Sequence, residues 1–417
     1  MPKTAASKKT ASKRITKKTA AKGTTAGTKR NGAPGPLGKR LVSWRRDVHQ
    51  HPELGYKEER TAKLVSQQLR DFGLKPRRMA GTGVTADIDS GRPGPRIMLR
   101  ADMDALPMQE ETGYPFASKN NGVMHACGHD LHVAILLGAT QLLRQGTLER
   151  GSVRLCFQPA EEGLNGASVM IDDGVLNNVD AAFGFHVWQW LTVGKIAALD
   201  GPAMAAVDEL RITIEGKGAH AAAPQEGIDP IVVAAHLVTA LQTIVSRSTD
   251  PLDTAVVTIG KIEGGTAFNI IPDRVTMTGT VRSFRKPVQK QIRQKMQALV
   301  KSVCAAFGAR GTLEYVHSNP ATVNTPELSQ FFRQQAKATL GTKAVTDCAP
   351  TMGGEDFAFY GEKVPSCYAF LGSAPRKGLV HQHHHPQFNP DEGVLEVGAQ
   401  LVHDVARSWL MQSKENR

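Results

Sequence analysis

The spacing of apolar residues predicts helices at the start of the folded part of the chain. Apolar side chains recur at helical intervals over residues 41–48 and again over 64–69, on either side of the pair His51-Pro52. A proline interrupts a helix because it lacks an N–H and clashes with the preceding turn. Two helices broken around residues 51–52 are therefore expected.

Three short apolar runs further along have the length of buried strands. They lie at residues 96–101, 152–157 and 181–187, and residues 133–143 have helical spacing. Each strand leads into, or ends on, polar residues, the first into an Asp-x-Asp segment at 102–104. Open α/β sheets place their chemistry beyond the carboxyl ends of the strands. The pattern predicts an α/β domain whose site is assembled from several strand ends.

Beyond residue 210 the pattern changes to strands in which polar and apolar residues alternate. Such alternation indicates half-exposed strands, and two longer stretches have the spacing of helices. The strands are expected at residues 211–216, 254–260, 274–281 and 312–316, and the helices at 230–245 and 288–307. This predicts an α+β insert at residues 206–317, within an α/β domain formed by residues 37–205 and 318–417.

Residues 1–36 differ in composition from the rest of the chain. The formal net charge of the 417 residues is +12, but residues 1–40 contain twelve Lys or Arg and no Asp or Glu. Without these twelve, 39 basic residues balance 39 acidic ones. The segment is rich in Lys, Ala, Thr and Ser and is predicted to be a disordered tail, joined through a linker at residues 32–38.

The tail leaves three interpretations open: a solubilising extension, a targeting peptide, or a salt-sensitive contact with a polyanion such as nucleic acid. It lacks the apolar core of a secretory signal. No unbroken apolar run has the roughly 18 residues that a membrane span needs. Five scattered cysteines do not indicate a disulfide framework. A cytoplasmic protein without membrane contact is expected, because such thiols suit a reducing compartment.

Residues 125–132, His-Ala-Cys-Gly-His-Asp-Leu-His, are the densest group of metal-capable side chains in the sequence. Glu161-Glu162, His186 and the histidines at 381–385 follow further along. Taken singly, each has an ordinary structural explanation, such as a core histidine, a solvated acidic pair or a metal-scavenging tract. Together they predict a metalloenzyme. Thiolate, imidazole and carboxylate ligands suit a borderline ion such as Zn, Mn, Co or Ni.

The Glu161-Glu162 pair indicates the type of chemistry. Adjacent side chains at a strand end point in different directions, so that one can bind metal while the other faces substrate. A divalent ion lowers the pKa of water toward 7. A glutamate that does not bind the metal is then suited to act as a general base.

An ordered set of motifs gives the chain a family resemblance over about residues 40–410. It resembles the amidohydrolase branch of the aminoacylase/carboxypeptidase metallopeptidase superfamily, which includes hippurate hydrolases, N-acyl-amino-acid amidohydrolases and plant auxin-conjugate hydrolases. Sister peptidases carry His-x-Asp at 102–104 and an aspartate at Cys127, so these departures mark the amidohydrolase branch. The motifs lie at residues 45–55, 100–107, 125–130, 158–163, 216–220, 269–272 and 353–357.

The resemblance implies a mixed-sheet catalytic domain with an inserted lid and dimerisation domain, and two divalent metal ions. Glu161 would be the general base, and Asp104 would orient a metal ligand or the base. The C-terminal ligand would be His384, two residues before Pro386, although His385 is adjacent. The implied metal ligands are Cys127, His129, Glu162, His186 and His384.

The resemblance also implies roles for residues outside the metal cluster. His220 would reach the site from the lid and stabilise the oxyanion, arriving from the partner subunit in dimeric relatives. Asn269 would hold the substrate's carboxylate or carbonyl, and Gly353 and Gly354 would offer backbone N–H groups. The glycines could equally form a tight turn. A homodimer or homotetramer is expected.

The function expected from these residues and the resemblance is metal-dependent hydrolysis of N-acyl amino acids, either hippurate-like or N-acetyl compounds. Within enzymes, a dipeptidase or carboxypeptidase, or a deacetylase of a biosynthetic intermediate, stays an alternative. In another class, a polyanion-binding protein would act through residues 1–36. The polyanion-binding alternative requires that the tail, and not the predicted metal ligands, is responsible for the function.

Overall fold

The computed structural model describes residues 35–412. In this part the chain forms α-helices of very different length, from single turns to more than twenty residues. The helices are α1 Pro36–Gln50, α2 Glu59–Asp71, α3 His129–Gln145, α4 Glu161–Leu164, α5 Gly166–Asp172, α6 Pro230–Thr243, α7 Lys286–Ala306, α8 Pro326–Leu340, α9 Ala358–Gly361 and α10 Val394–Met411.

The strands of the described residues belong to two larger sheets and two small ribbons. They are β1 Arg77–Met79, β2 Gly83–Asp89, β3 Arg96–Asp102, β4 Ser152–Gln158, β5 Ala181–Thr192, β6 Ile196–Ala197, β7 Gly201–Met204, β8 Ala206–Glu215, β9 Ala219–His220, β10 Ala255–Gly264, β11 Ile270–Ile271, β12 Arg274–Ser283, β13 Arg310–Asn319, β14 Thr322–Asn324 and β15 Ser366–Ala374.

The main sheet has the strand order β1-β2-β4-β3-β5-β15-β6. Its centre is parallel, since β3 runs parallel to β4 and β5, and β15 runs parallel to β5. The edges are antiparallel, with β2 against β4 and β6 against β15. The predicted α/β fold with a mixed sheet is therefore confirmed.

Helices cover both faces of the main sheet. Successive residues of a strand point to opposite faces of the sheet. In β3, Leu99 packs into one core cluster and Met98 into another, so both faces are covered. The first cluster contains apolar residues of α1, α2, α3, α8 and α10. The second contains residues of α5 and α9. Burial on both faces explains why the central strands read as continuous apolar runs.

A second sheet, with the order β10-β12-β8-β13, is antiparallel throughout. Burial alternates along β8, and α6 and α7 supply the other half of a separate core cluster that includes Ile212, Leu237 and Ile292. The strands of this sheet lie between Ala206 and Asn319 in the sequence. The proposed division of the chain into four segments stays a prediction, and residues 1–34 of the predicted tail lie outside the described residues.

Three boundaries differ from the sequence prediction. The predicted linker at 32–38 is wrong at its end, because α1 begins at Pro36 and buries Gly38; proline is well suited to a first helical turn. The helix predicted at 133–143 begins earlier, at His129. Strand β5 does not end at His186 but continues to Thr192.

One helical stretch is unusually apolar. Residues Pro230–Ser248, which are α6 and a following π-helical turn, are long and apolar enough to cross a membrane by length and composition alone. Part of this stretch packs into the core of the second sheet through Leu237 and Leu241. Ile231 and Val232 on its other side are exposed.

Candidate metal centre

The predicted ligand segments meet along one edge of the main sheet. Asp104 follows the carboxyl end of β3, and Glu161 and Glu162 follow β4. His186 lies in the neighbouring strand β5, and His129 is the first residue of α3. Because β3 and β4 are parallel, the residues that follow them lie at the same edge, and His186 lies within β5, which continues past this point to Thr192.

A glycine turn sets the positions of Cys127 and His129. Gly128 has φ +102°, a left-handed conformation that side chains other than glycine rarely adopt. A Cβ atom at this position would also lie 2.4 Å from Cγ2 of Val187. The close approach to β5 brings Cys127 toward the adjacent His186, whose Nε2 lies 3.3 Å from the Cys127 Sγ atom.

The five predicted ligands and the predicted base Glu161 form overlapping groups. Within each group, one ligand atom per residue lies within 4.8 Å of the others. Cys127, His129 and Glu162 each belong to two of these groups, so every group shares residues with the others. The groups are Cys127, His129 and His186; Cys127, Glu162 and His384; and His129, Glu161 and Glu162.

Hydrogen bonds orient two predicted ligands, the histidines at positions 129 and 186. Nδ1 of His129 donates to the backbone carbonyl of Asp104 at 2.9 Å, and Nδ1 of His186 donates to the carbonyl of Val187 at 2.6 Å. Each ring therefore presents Nε2 as the free ligand atom. Nε2 of His129 is buried without a hydrogen bond in the described part of the chain. The donor set and this unsatisfied nitrogen fit a divalent cation.

His384, rather than His385, belongs to the cluster. Its backbone is left-handed, with φ +61°, and its N–H donates to the carbonyl of Ala126 at 2.9 Å. Nε2 of His384 lies 3.3 Å from Oε1 of Glu162. His385 instead stacks on His381 with ring centroids 4.5 Å apart, and its Nδ1 accepts the N–H of Gln387.

Asp104 contacts two of the predicted ligands, Glu162 and His129. Its Oδ2 atom accepts the backbone N–H of Glu162 at 2.9 Å, and its Oδ1 atom lies 3.3 Å from Nδ1 of His129. Asp104 is almost fully buried. The sequence did not show which residue Asp104 orients. The structure shows contacts with both His129 and the backbone of Glu162.

The electrostatics of the cluster favour a cation. Burial, together with the Glu162 and Glu161 carboxylates, raises the pKa of the Cys127 thiol. Burial opposes protonation of His129, but the carboxylates of Asp102 and Asp104 outweigh it and raise its pKa to about 10. Negative groups thus dominate this buried space, and a divalent ion would offset them and hold the thiolate.

Glu161 occupies a strained turn beside the ligands. The preceding residue, Ala160, has φ +57°, and its N–H donates to Oε1 of Glu58 at 2.8 Å. The turn is the short helix α4, not a simple strand end as the sequence suggested, and Glu162 has non-helical dihedral angles in it. Burial raises the pKa of Glu161, and the nearby Glu355 and Glu162 raise it further.

The other polar residues of the 125–132 segment have structural partners or full burial. Asp130 pairs with Arg45 at 2.7 Å and with His49 at 2.9 Å. His132 donates from Nδ1 to Asp102 at 2.5 Å and accepts the Val187 N–H at 2.9 Å. His125 is fully buried, which lowers its pKa to about 3.

The structure does not bring His220 and Asn269 into this cluster. His220 lies in β9, which pairs with β11, and its Nδ1 accepts the N–H of Ala222. The Asn269 carbonyl accepts the N–H of Ala221 in the same small ribbon. Both residues are exposed. Among the described residues, no group of metal-capable side chains includes His220.

Gly353 and Gly354 pack beside the start of β8. The N–H of Gly353 donates to Oγ1 of Thr351, and its carbonyl accepts the N–H of Ala205. A Cβ atom on Gly354 would lie 2.2 Å from Cγ2 of Val207, near the start of β8. Close packing therefore requires glycine at 354.

Sequence reasoning assigned no role to a charged network behind the cluster. Arg100, Glu355 and Asp356 are almost fully buried, and the oxygens of Glu161, Glu355 and Asp356 lie within 4.8 Å of one another. One signal was available, since Arg100 interrupts the apolar strand 96–101. A charge at a buried strand position requires a partner.

Fold and site together define a metal-dependent hydrolase. The model of Peptidase family M20/M25/M40 matches residues 98–408, and the chain belongs to this family. It is 43% identical over 384 residues to the N-acetyl-L-cysteine deacetylase of Bacillus subtilis (strain 168), with 91% of each chain covered. It is 40% identical over 381 residues to IAA-amino acid hydrolase ILR1-like 4 of Arabidopsis thaliana, covering 90% of this chain and 86% of that one.

Among solved structures, the chain is similar to the Bacillus subtilis YXEP protein, a dinuclear metal binding peptidase from the M20 family. The TM-score is 0.80 with 38% identity, and 90% of this chain and 98% of that chain are covered. The predicted metal-dependent amidohydrolase is confirmed, as is the predicted cofactor of two divalent ions, which the overlapping ligand groups of this chain fit. The identity of the ions, as Mn, Zn, Co or Ni, stays a prediction.

Proposed function

We propose that this protein hydrolyses the amide bond of N-acyl amino acids, with hippurate-like and N-acetyl amino acids as the substrate class. The observation that carries the proposal is the position of Glu161, which shares a group of ligand atoms with His129 and Glu162. The Cys127 ligand also marks the amidohydrolase branch. Relatives named for N-acetyl-L-cysteine and for IAA-amino acids support this substrate class.

Bound divalent ions would polarise the scissile carbonyl and lower the pKa of the attacking water. Glu161 accepts the proton that this water loses and then delivers it to the departing amine nitrogen. The burial that raises the pKa of Glu161 helps it to hold the proton between these two steps. Asp104 holds His129 and the Glu162 backbone in place during the reaction.

His220 and Asn269 act in this proposal from a second copy of the chain. Both residues are exposed, at or next to the small β9–β11 ribbon, and this exposure supports the arrangement because neither side chain is buried in the core of its own subunit. His220 would donate to the oxygen of the scissile carbonyl, and Asn269 would hold the substrate's carboxylate or carbonyl. The assembly is proposed to be a homodimer or homotetramer.

Residues 1–36 and the cellular location form a separate part of the proposal. Free cysteines in the described residues support a cytoplasmic location. The lysine-rich composition of the tail supports weak, salt-dependent contact with polyanions. Binding to heparin or DNA that is lost on deletion of residues 1–34, without loss of hydrolysis, would establish the tail as an accessory.

Metal analysis combined with a substrate panel tests the main proposal. The purified protein is assayed with hippurate, N-acetyl amino acids and dipeptides, before and after removal of metal by a chelator. N-acyl amino acids should be cleaved fastest, and activity should return when metal is restored. Faster cleavage of dipeptides would favour the dipeptidase alternative. A fully metallated protein that cleaved none of these compounds would refute the proposal.

A further inference from the structure

Arg100 is fully buried in β3, and all three of its guanidinium nitrogens have partners. Removing a charge from water in this way is costly unless several partners compensate. Its contacts are Nε to Oε1 of Gln158 at 2.8 Å, Nη1 to Oδ2 of Asp102 at 2.7 Å and to the Tyr368 hydroxyl at 3.4 Å, and Nη2 to Oε1 of Glu355 and Oδ1 of Asp356, both at 2.9 Å.

On one side, the guanidinium is connected to the proposed metal ligands through a series of hydrogen bonds. Asp102 accepts from Arg100 through Oδ2, and its Oδ1 accepts from His132 at 2.5 Å. His132 in turn accepts the N–H of Val187, the residue that follows ligand His186. Oδ2 of Asp102 also lies 3.6 Å from Nε2 of His129. This chain of contacts is named the ligand arm.

The other side leads to the general base. Asp356 and Glu355 accept from Nη2 of Arg100. The backbone N–H of Asp356 contacts Oε1 of Glu161 at 3.4 Å. Three carboxylates so close together repel one another, and Arg100 is the cation that contacts two of them. This chain of contacts is named the base arm.

We propose that Arg100 is a positioning residue that aligns the metal ligands and Glu161 through a single guanidinium. The inference rests on the proposed function for the roles of Glu161 and the ligands. The planar fork matters, because Nη1 contacts the ligand arm while Nη2 contacts the base arm. A lysine ammonium is a single point charge and cannot contact both arms in this geometry.

Arg154 provides a matched control for the burial of an arginine. It lies in the adjacent strand β4 and is also buried, with Nε and Nη2 bonded to the Asp87 carboxylate at 2.8 and 2.9 Å. Its Nη1 donates to the carbonyl of Val175 at 2.9 Å. None of these partners is a proposed ligand or contacts Glu161.

The experiment compares Arg100→Lys and Arg154→Lys in the full-length protein. Thermal unfolding reports folding, competition with a chelator reports metal affinity, and steady-state kinetics separate kcat from KM. Arg100→Lys should lose about 10- to 100-fold in metal affinity and a similar factor in kcat, since partners behind metal ligands typically carry effects of this size. KM should change less. Arg154→Lys should lower thermal stability but keep wild-type metal affinity and kcat.

Asp102→Asn changes only the ligand arm, and Asp356→Asn changes only the base arm. These two variants test the inference even if Arg100→Lys does not fold. Asp102→Asn should chiefly weaken metal binding. Asp356→Asn should lower kcat with metal affinity unchanged. Wild-type metal affinity and kcat in Arg100→Lys, or in both arm variants, would overturn the inference.

Metal affinity is measured without substrate, so the inference and the proposed function can fail separately. If no N-acyl amino acid is cleaved but Arg100→Lys weakens metal binding and Arg154→Lys does not, the proposed function fails and the ligand arm is supported. If N-acyl amino acids are cleaved and Arg100→Lys behaves as Arg154→Lys does, the inference fails alone.

Discussion

Oδ2 of Asp104 accepts the backbone N–H of Glu162 at 2.9 Å, and this bond ties the segment after β3 to the turn after β4. The backbone carbonyl of the same aspartate accepts from Nδ1 of His129. One buried residue therefore contacts two proposed metal ligands that are 33 residues apart in sequence. Orientation of ligands by such outer contacts sets both metal affinity and the direction of the ligand atoms.

Asp104→Ala should weaken metal binding by about 10- to 100-fold, because the Glu162 backbone loses its acceptor. Asp104→Asn keeps one carbonyl oxygen and should lose less. The backbone carbonyl that holds His129 is unchanged in both variants. Chelator competition measures the affinities. Equal affinity in Asp104→Ala and the wild type would show that Glu162 needs no support from this residue.

Glu161→Gln should retain bound metal and lose about 10²- to 10⁴-fold in kcat, the usual contribution of a general base. The side chain keeps its size, so the ligands Cys127 and His129 should be undisturbed. Metal content and kcat are measured on the same preparation. The control is Glu59→Gln, an exposed glutamate in α2 paired with Arg78 at the surface. A fully active Glu161→Gln variant would remove the assigned role.

His384→Ala should lower metal affinity, whereas His385→Ala should not. The two residues are adjacent, but only His384 approaches Glu162, and His385 stacks on His381. Metal that binds the native state alone adds about 4 kcal/mol of stability at a free concentration of a thousand times its Kd. The thermal midpoint should therefore rise with added metal less in His384→Ala than in His385→Ala. The reverse order would reassign the ligand.

An equimolar mixture of Glu161→Gln and His220→Ala proteins should regain part of the activity that each lacks alone. In the proposed assembly, a mixed dimer contains one site with an intact Glu161 and an intact His220 from the partner. The subunits are unfolded and refolded together, and kcat is compared with that of each parent. A mixture as inactive as its parents, although mixed dimers have formed, would show that His220 acts within its own chain or not at all.

Trp190→Ala should slow cleavage of hippurate more than cleavage of N-acetyl amino acids. Trp190 is 61% exposed, and its ring lies 4.8 Å from Trp188 and 6.0 Å from His383, next to ligand His384. Such a ring can stack on a planar acyl group. The ratio of kcat/KM for the two substrates is the readout. Leu252→Ala, at a site 95% exposed, is the control. An unchanged ratio would exclude contact with the acyl group.

Much of the fold could be predicted because its signals are local. Continuous apolar runs marked β3, β4 and β5, since these strands are buried on both faces. Alternation marked β8 and β12, where one face is exposed. The ends of elements were predicted less accurately. For β5 the predicted end was His186, but the strand continues through Trp188 and Trp190.

The sequence by itself determined the types of side chain available for chemistry and their order along the chain, which carry the family membership. Only the tertiary structure decided which of these side chains meet. It placed His384 rather than His385 at the cluster, gave Asp104 its partners, and joined Arg100 to Glu355 and Asp356 across more than 250 residues of sequence. Periodicity and motifs depend on neighbours a few positions away, whereas the contacts of a buried charge depend on how distant segments pack and in which register.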